Sequence, residues 1–257
     1  MPRASLFSAL AAATCLAGWA TAAPATPLFS AYKGTWEAFD WNTNVIGTKV
    51  SGQLRDIGSD VRARSASTVT LAFATGECGV ENWSGADGGD VAAANVPLLV
   101  GAGARYIVST GGAGGTITCG SDAGMASFID RWNSAHFAGI DFDLENGQSA
   151  AIVDALMKRV KAAHASYPAL RFSFTIATEA VNQGGSVAVP GLGRGRGAQD
   201  PYNGLDGIGD EVMASVRSVL GWDGSAAHWP AYVFIDLMTM DFGPAKKAYC
   251  VVKGGKC

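Results

Sequence analysis

The stretch 137–147, FAGIDFDLENG, sets Asp141, Asp143 and Glu145 at alternate positions, with Ile140, Phe142 and Leu144 between them. Residues two apart in a strand share a face. A strand here carries three carboxyls on one side and three large apolar groups on the other. Carboxylates held that close cannot all ionise easily, so at least one proton stays among them. A protonated acid at the mouth of a pocket is what a leaving oxygen requires from a general acid. The plainer arrangement is a half-exposed strand with its acids in water.

The elements around this stretch decide between the two. Runs rich in β-branched and aromatic residues at 27–36, 67–76, 104–112, 137–145, 170–178 and 231–243 predict six strands. Helical spacing appears at 121–132, where Ser121 is a candidate N-cap and Met125, Phe128, Ile129 and Trp132 form a stripe. It appears again at 149–168, stopped by Pro168, and at 210–220. Alternating strands and helices imply a parallel sheet with covered faces. In an open doubly wound sheet three acids would be buried without partners. In a barrel the inward face is polar near its mouth, and Glu145, last in its strand, stands nearest the C-terminal rim where such barrels react. The expected fold is therefore an α/β TIM (β/α)8 barrel. Six strands are found by residue 243, and YCVVKGGKC offers at most a short hairpin. The barrel is expected to be incomplete at the C-terminus, without strands 7 and 8, and the chain to be a fragment of a longer product. Residues 41–66 show no clear periodicity, and 181–209 are loop-rich. GLGRGRG within them neither follows a strand nor opens a helix, so it reads as loop and not as a phosphate cradle.

The motifs carry a resemblance. GIDFDLE resembles the signature strand of glycoside hydrolase family 18, the chitinase family, whose pattern is Asp-x-x-Asp-x-Asp-x-Glu. Asp141, Asp143 and Glu145 match its last three acids, and Ala138 stands where the first belongs. STGG at 109–112 is similar to the family's Ser-x-Gly-Gly on the third strand. LMTMDFG at 237–243 is similar to Met-x-Tyr-Asp on the sixth, with Met240 in place of Tyr. The resemblance implies substrate-assisted hydrolysis with retention. Glu145 would protonate the leaving oxygen, Asp143 would hold the acetamide N–H, and Asp141 would share a proton from below. Asp241, Met238 and Met240 would meet the acetamide, with Ser109 and Tyr32 supporting the acids. The implied substrate is chitin or a chitooligosaccharide, with no cofactor. Glycoprotein glycans, or sugar binding without turnover, are the alternatives. Stacked carboxylates suggest an acidic-to-neutral pH optimum. The C–H faces of sugars stack on Trp, and Trp36, Trp41, Trp83, Trp222 and Trp229 are candidates for a cleft, with core or surface packing the more usual role of each. Trp83 is taken as a substrate contact and Trp132 as core.

Composition sets the remaining bounds. The 257 residues are 48% hydrophobic and 16% charged, with a formal net charge of −3. No block of Lys or Arg suggests a nucleic-acid partner. Residues 1–22 read as a secretory signal ending at Ala20-Thr21-Ala22, with a short membrane anchor as the alternative. The expectation is a secreted or periplasmic monomer, free of the membrane once the signal is cleaved, whose catalytic barrel is 23–257. Cys78, Cys119, Cys250 and Cys257 then remain, in spacing unlike a zinc site, and disulfides are expected over free thiols. Cys250 and Cys257 could close a small loop, and Cys78 could meet Cys119 if their segments are neighbours. No metal is expected, and His136 is read as structural.

Overall fold

The computed structural model describes residues 28–50, 52–64, 67–145, 147–178 and 207–240. Its central sheet has six parallel strands: β1 (Ala31–Gly34), β2 (Thr68–Ala74), β3 (Arg105–Gly111), β4 (Phe137–Leu144), β5 (Arg171–Ala177) and β6 (Val233–Met238). They lie side by side in chain order. The connections contain α1 (Ile57–Arg64), α2 (Gly88–Gly101), α3 (Asp122–Trp132), α4 (Ala150–Ser166) and α5 (Gly207–Leu220). Each helix packs on the next in the same order. When every strand is added on the same side, right-handed crossovers put all the helices on one face. This winding differs from a doubly wound sheet, whose strand order reverses at its centre. Among the described residues the sheet has β1 and β6 as its edges, so it is an α/β unit with a parallel sheet and not a closed eight-stranded ring.

The helix-facing side of the sheet forms the core. Ile140, Phe142, Leu144, Phe172, Phe174 and Ile176 are all fully buried, and the Phe142 and Phe174 rings lie 5.2 Å apart. Burying each such side chain contributes about 1.5–3 kcal/mol. The α3 stripe Met125, Phe128, Ile129 and Trp132 is buried against them, and Ser121 caps that helix by accepting the Gly124 N–H at 3.0 Å. Ser149 caps α4, which buries Val153, Leu156, Met157 and Val160.

Two connections depart from expectation. Residues 39–56 form a small antiparallel meander (Phe39–Asp40, Val45–Val50, Gln53–Asp56) that leads into α1. Buried Asn95 on α2 anchors it, accepting the Ile46 N–H and donating to the Asn44 carbonyl, both at 2.8 Å. Helix α2 itself is absent from the sequence reading, because Pro97 and flanking glycines break its pattern. Its start is nonetheless signalled by Asp87, which accepts the N–H groups of Gly89 and Asp90.

Two ion pairs with a buried carboxylate tie the layers: Lys33 to Asp60 at 3.0 Å joins β1 to α1, and Arg131 to Glu81 at 2.7 Å joins α3 to the β2–α2 connection. A disulfide links Cys78 and Cys119, whose Cα atoms are 4.9 Å apart, and so ties the segments that follow β2 and β3. Cys250, Cys257, the 1–22 leader and GLGRGRG lie outside the described residues. Among the described residues no helix is long and apolar enough to cross a membrane.

Trp83 corrects one expectation. It is fully buried, its ring 5.3 Å from that of Trp132, and so it is a core residue and not a wall of a cleft. Truncation there leaves a large void. Trp83→Ala is expected to lower unfolding free energy by about 3–5 kcal/mol, read by chemical denaturation. A loss below about 1 kcal/mol would contradict this placement.

Candidate active site

Strand register stacks the inward side chains in levels. Asp141 lies level with Ser109 on β3 and Ser173 on β5. Asp143, one level higher, is flanked by Gly111 and Thr175, and Thr175 in turn by Asp236 on β6. Glu145 directly follows the end of β4 and is half-buried. The acids thus climb toward the C-terminal end of a strand that is buried along its whole length.

Glycine lets the strands close at this point. Gly111 has φ +85°, and a Cβ there would stand 2.2 Å from the Asp143 carbonyl oxygen. The next residue, Gly112, donates its N–H to that same oxygen at 3.0 Å. A side chain at 111 would push the third strand off the backbone that carries Asp143.

Asp141 is only 2% exposed and is surrounded by hydroxyls. Its Oδ2 accepts from Ser109 at 2.6 Å and from Tyr32 at 2.7 Å. Its Oδ1 accepts from Ser173 at 2.7 Å and from Thr175 at 2.9 Å. Burial pushes this carboxyl above its ordinary range, and the four hydroxyls act against burial by bonding the charged form. Burial and the Asp141 charge also push the Tyr32 phenol up. Asp143 has no such support: its Oδ1 is buried without a hydrogen-bond partner among the described residues. Burial, then the charges of Asp141 and Glu145, push it up to about 8.

A cleft of about 450 Å³ opens over these groups, a size suited to a small ligand or a sugar or two. Asp141, Asp143, Ser173, Thr175 and Asp236 supply its polar side, and Arg171 its cation. Tyr32, Trp36, Phe73, Leu237, Met238 and Met240 supply its apolar side. Trp36 is 62% exposed and stacks on Phe73 with centroids 5.4 Å apart and planes 22° from parallel. Glu145 does not itself line this cleft. Among the described residues no group of three or more His, Cys, Asp and Glu side chains is placed to hold a metal ion.

Of the residues singled out by sequence, Asp141, Asp143, Tyr32, Ser109, Met238 and Met240 thus gather at one site, with Ser109 behind the cleft wall, bonded to Asp141. Asp241 lies outside the described residues. Trp222 is buried and Trp229 packs on the core. Trp41 is exposed, edge-on to Phe39. Sequence reasoning missed Ser173, Thr175, Asp236 and Arg171. The alternation of RFSFT at 171–175 puts Arg, Ser and Thr on the face opposite two phenylalanines, the one signal that could have found them.

No family model matches the chain, and no curated protein matches it. Solved structures do. The catalytic domain of a hyperthermophilic chitinase from Pyrococcus furiosus is 20% identical at a TM-score of 0.48, over 85% of this chain and 60% of that one. The ChiA C-terminal domain from Legionella pneumophila is 14% identical at 0.41, over 80% and 56%. The ICChI chitinase from Ipomoea carnea is 15% identical at 0.38, over 58% and 57%. The chain therefore spans about three fifths of the length of these neighbours.

The raised Asp143 has a consequence for stability. The folded chain holds its proton up to about pH 8, whereas an unfolded Asp loses it near about pH 4. Between these values the folded state binds the extra proton, so this group's contribution to stability falls as pH rises. Asp143→Asn removes the penalty. Denaturant unfolding is expected to show a gain, at most on the order of 5 kcal/mol, at pH 8 and little change at pH 4. An equal effect at both pH values would contradict the assignment.

Proposed function

We propose that the chain is a chitinase-like glycoside hydrolase, acting on β-1,4-linked N-acetylglucosamine with retention, and that it is exported. The observation that carries the reading is the pair of inward acids Asp141 and Asp143 toward the C-terminal end of β4, with the Asp143 Oδ1 lacking a partner among the described residues, at a cleft of sugar-sized volume. The order of STGG, the acid strand and LMTMDFG along the chain supports it, and the N-terminal leader pattern supports export.

The chemistry follows from the charge arrangement. Glu145 gives its proton to the glycosidic oxygen as the bond to the anomeric carbon breaks. The acetamide oxygen of the same sugar attacks that carbon from the opposite side, which forms an oxazolinium ring. Asp143 accepts the acetamide N–H and aims its oxygen at the carbon. Asp141, beneath Asp143, shares a proton with it. Water then opens the ring, giving its proton back to Glu145, and the configuration is retained. Trp36 and Tyr32 offer apolar ring faces to the sugar.

Release of a fluorophore from a chitobioside by the chain from Ala23 to Cys257 tests this. Glu145→Gln is expected to reduce kcat by at least about 100-fold, the usual scale of a lost general acid, with circular dichroism unchanged. Folded wild-type protein that releases nothing would sink the reading.

A further inference from the structure

The apolar lip of the cleft is seated on a glycine. β1 ends at Gly34, and Trp36 follows in a turn closed by the Glu37 N–H, which donates to the Gly34 carbonyl at 3.2 Å. The turn folds the indole back onto the strand before it. A Cβ at Gly34 would stand 2.1–2.3 Å from three carbons of the six-membered ring of Trp36. Non-bonded carbons rest about 3.5–4.0 Å apart. The indole therefore occupies the space that any other side chain at 34 would fill. The backbone itself does not require glycine, because φ at Gly34 is not positive and the residue pairs with Ala72 of β2 in the parallel register of its strand.

Other contacts hold the same ring. Phe73 supports it from the β2 side, with centroids 5.4 Å apart and planes 22° from parallel. Phe73 is itself packed close on Gly112, just past β3, where a Cβ would meet its ring at 2.7 Å. Thr35 is fixed by its N–H, which donates to the Ala72 carbonyl at 3.1 Å, and by its hydroxyl, 3.0 Å from that of Ser84. The core residues Trp83 and Trp132 are fully buried, whereas Trp36 is supported and yet 62% exposed. An apolar ring already held in place loses little freedom when a ligand covers it, so most of the gain from burying it is kept.

We infer that Gly34 is a positioning residue: it keeps Trp36 laid against the end of β1, with its outer face open as a platform for the apolar C–H face of a pyranose ring. The inference rests on the sugar substrate proposed above. It adds a binding site on the β1 side of the lip that reads the shape of a sugar ring and not its acetamide. Tyr32 lies next to Phe73, centroids 6.0 Å apart, and donates to Asp141, so the aromatic wall leads from the platform down to the acids. Alanine at 34 probes this arrangement selectively. The three atoms nearest its methyl all belong to the Trp36 ring and none to backbone, so the ring swings away while β1 keeps its pairing.

The full chain labelled with 5-fluorotryptophan is followed by 19F NMR, with Trp36→Phe identifying the Trp36 signal and Glu145→Gln as the background that slows turnover. Chitotetraose is expected to shift the Trp36 signal. Gly34→Ala should move the same signal in the free chain and raise the dissociation constant on the order of tenfold, the scale of one lost aromatic contact. Trp36→Ala should raise it to a similar degree. In the Trp36→Ala background, Gly34→Ala should add less than about twofold, because it acts through the ring. With Glu145 intact and a fluorophore chitotrioside, both substitutions should raise KM and leave kcat within about twofold. A Trp36 signal that chitotetraose leaves unmoved, or an unchanged affinity in Trp36→Ala, overturns the platform. A Gly34→Ala loss that persists in full without the indole overturns the role of Gly34. Gly34→Ala that fails to fold by near-UV circular dichroism with the indole, yet folds without it, supports the shared space; failure in both backgrounds overturns it. Chitotetraose bound on Trp36 with no fluorophore released sinks the proposed hydrolysis and leaves the platform. Release with a KM that Trp36→Ala does not change does the reverse.

Discussion

A carboxylate removed from water must be given other donors, and the structure around Asp141 is organised by that need. An isolated buried charge is expensive, and it persists only where hydrogen bonds replace its hydration. Here the replacement requires Tyr32, Ser109, Ser173 and Thr175 to arrive from three strands within 2.6–2.9 Å of two oxygens. A slip of one residue in any strand would turn its hydroxyl to the helix side. The register of β1, β3, β4 and β5 is therefore tied to one side chain. The apolar side chains on the other face of β4 and β5 impose the same register from the helix side. Core packing and the polar cage agree, and that agreement is what lets the strands meet at a single alignment.

The same arrangement separates the roles of chemically identical groups. Asp141 and Asp143 stand two residues apart on one face of one strand, yet the first is surrounded by donors and the second has an oxygen with no partner among the described residues. Environment, not residue type, decides how the two differ: hydroxyls oppose the upward push of burial on Asp141, whereas burial and neighbouring charges both push Asp143 up. The glycine pair at 111–112 belongs to this division. It brings β3 against the Asp143 backbone without placing any side chain beside the carboxyl, so nothing from that strand satisfies it.

What was legible in the sequence follows from where the information lies. The period of two in FAGIDFDLE is written within a single strand, so the shared face of Asp141, Asp143 and Glu145 could be read directly. The stripe of α3 and its Ser121 cap are likewise local, as is the end of α4 at Tyr167, just before Pro168. The partners of Asp141 are not local. Ser173 and Thr175 look like ordinary strand residues until the pairing of β4 with β5 is known. Trp83 could have stacked on a ligand or on another side chain, and only its position beside Trp132 decides the matter. In α2, Pro97 and the terminal glycines hid a helix that is held by Asp87 at one end and by packing elsewhere. Similarly, the meander at 39–56 owes its shape to Asn95, almost fifty residues further along the chain.

The strand order has a kinetic side. Because each strand of the sheet pairs with the next one in the chain, each new pairing closes only the loop that contains its own connecting helix. The entropy lost in forming a contact grows with the length of chain it encloses, and rates of folding fall as contacts become more distant in sequence. A sheet wound in one direction keeps that distance short over the first four pairings, from Ala31 with Val69 to Gly139 with Arg171, and lengthens it only at the last, Phe172 with Val233. Its growth resembles the extension of a zipper, in which each added unit finds the edge it needs already built.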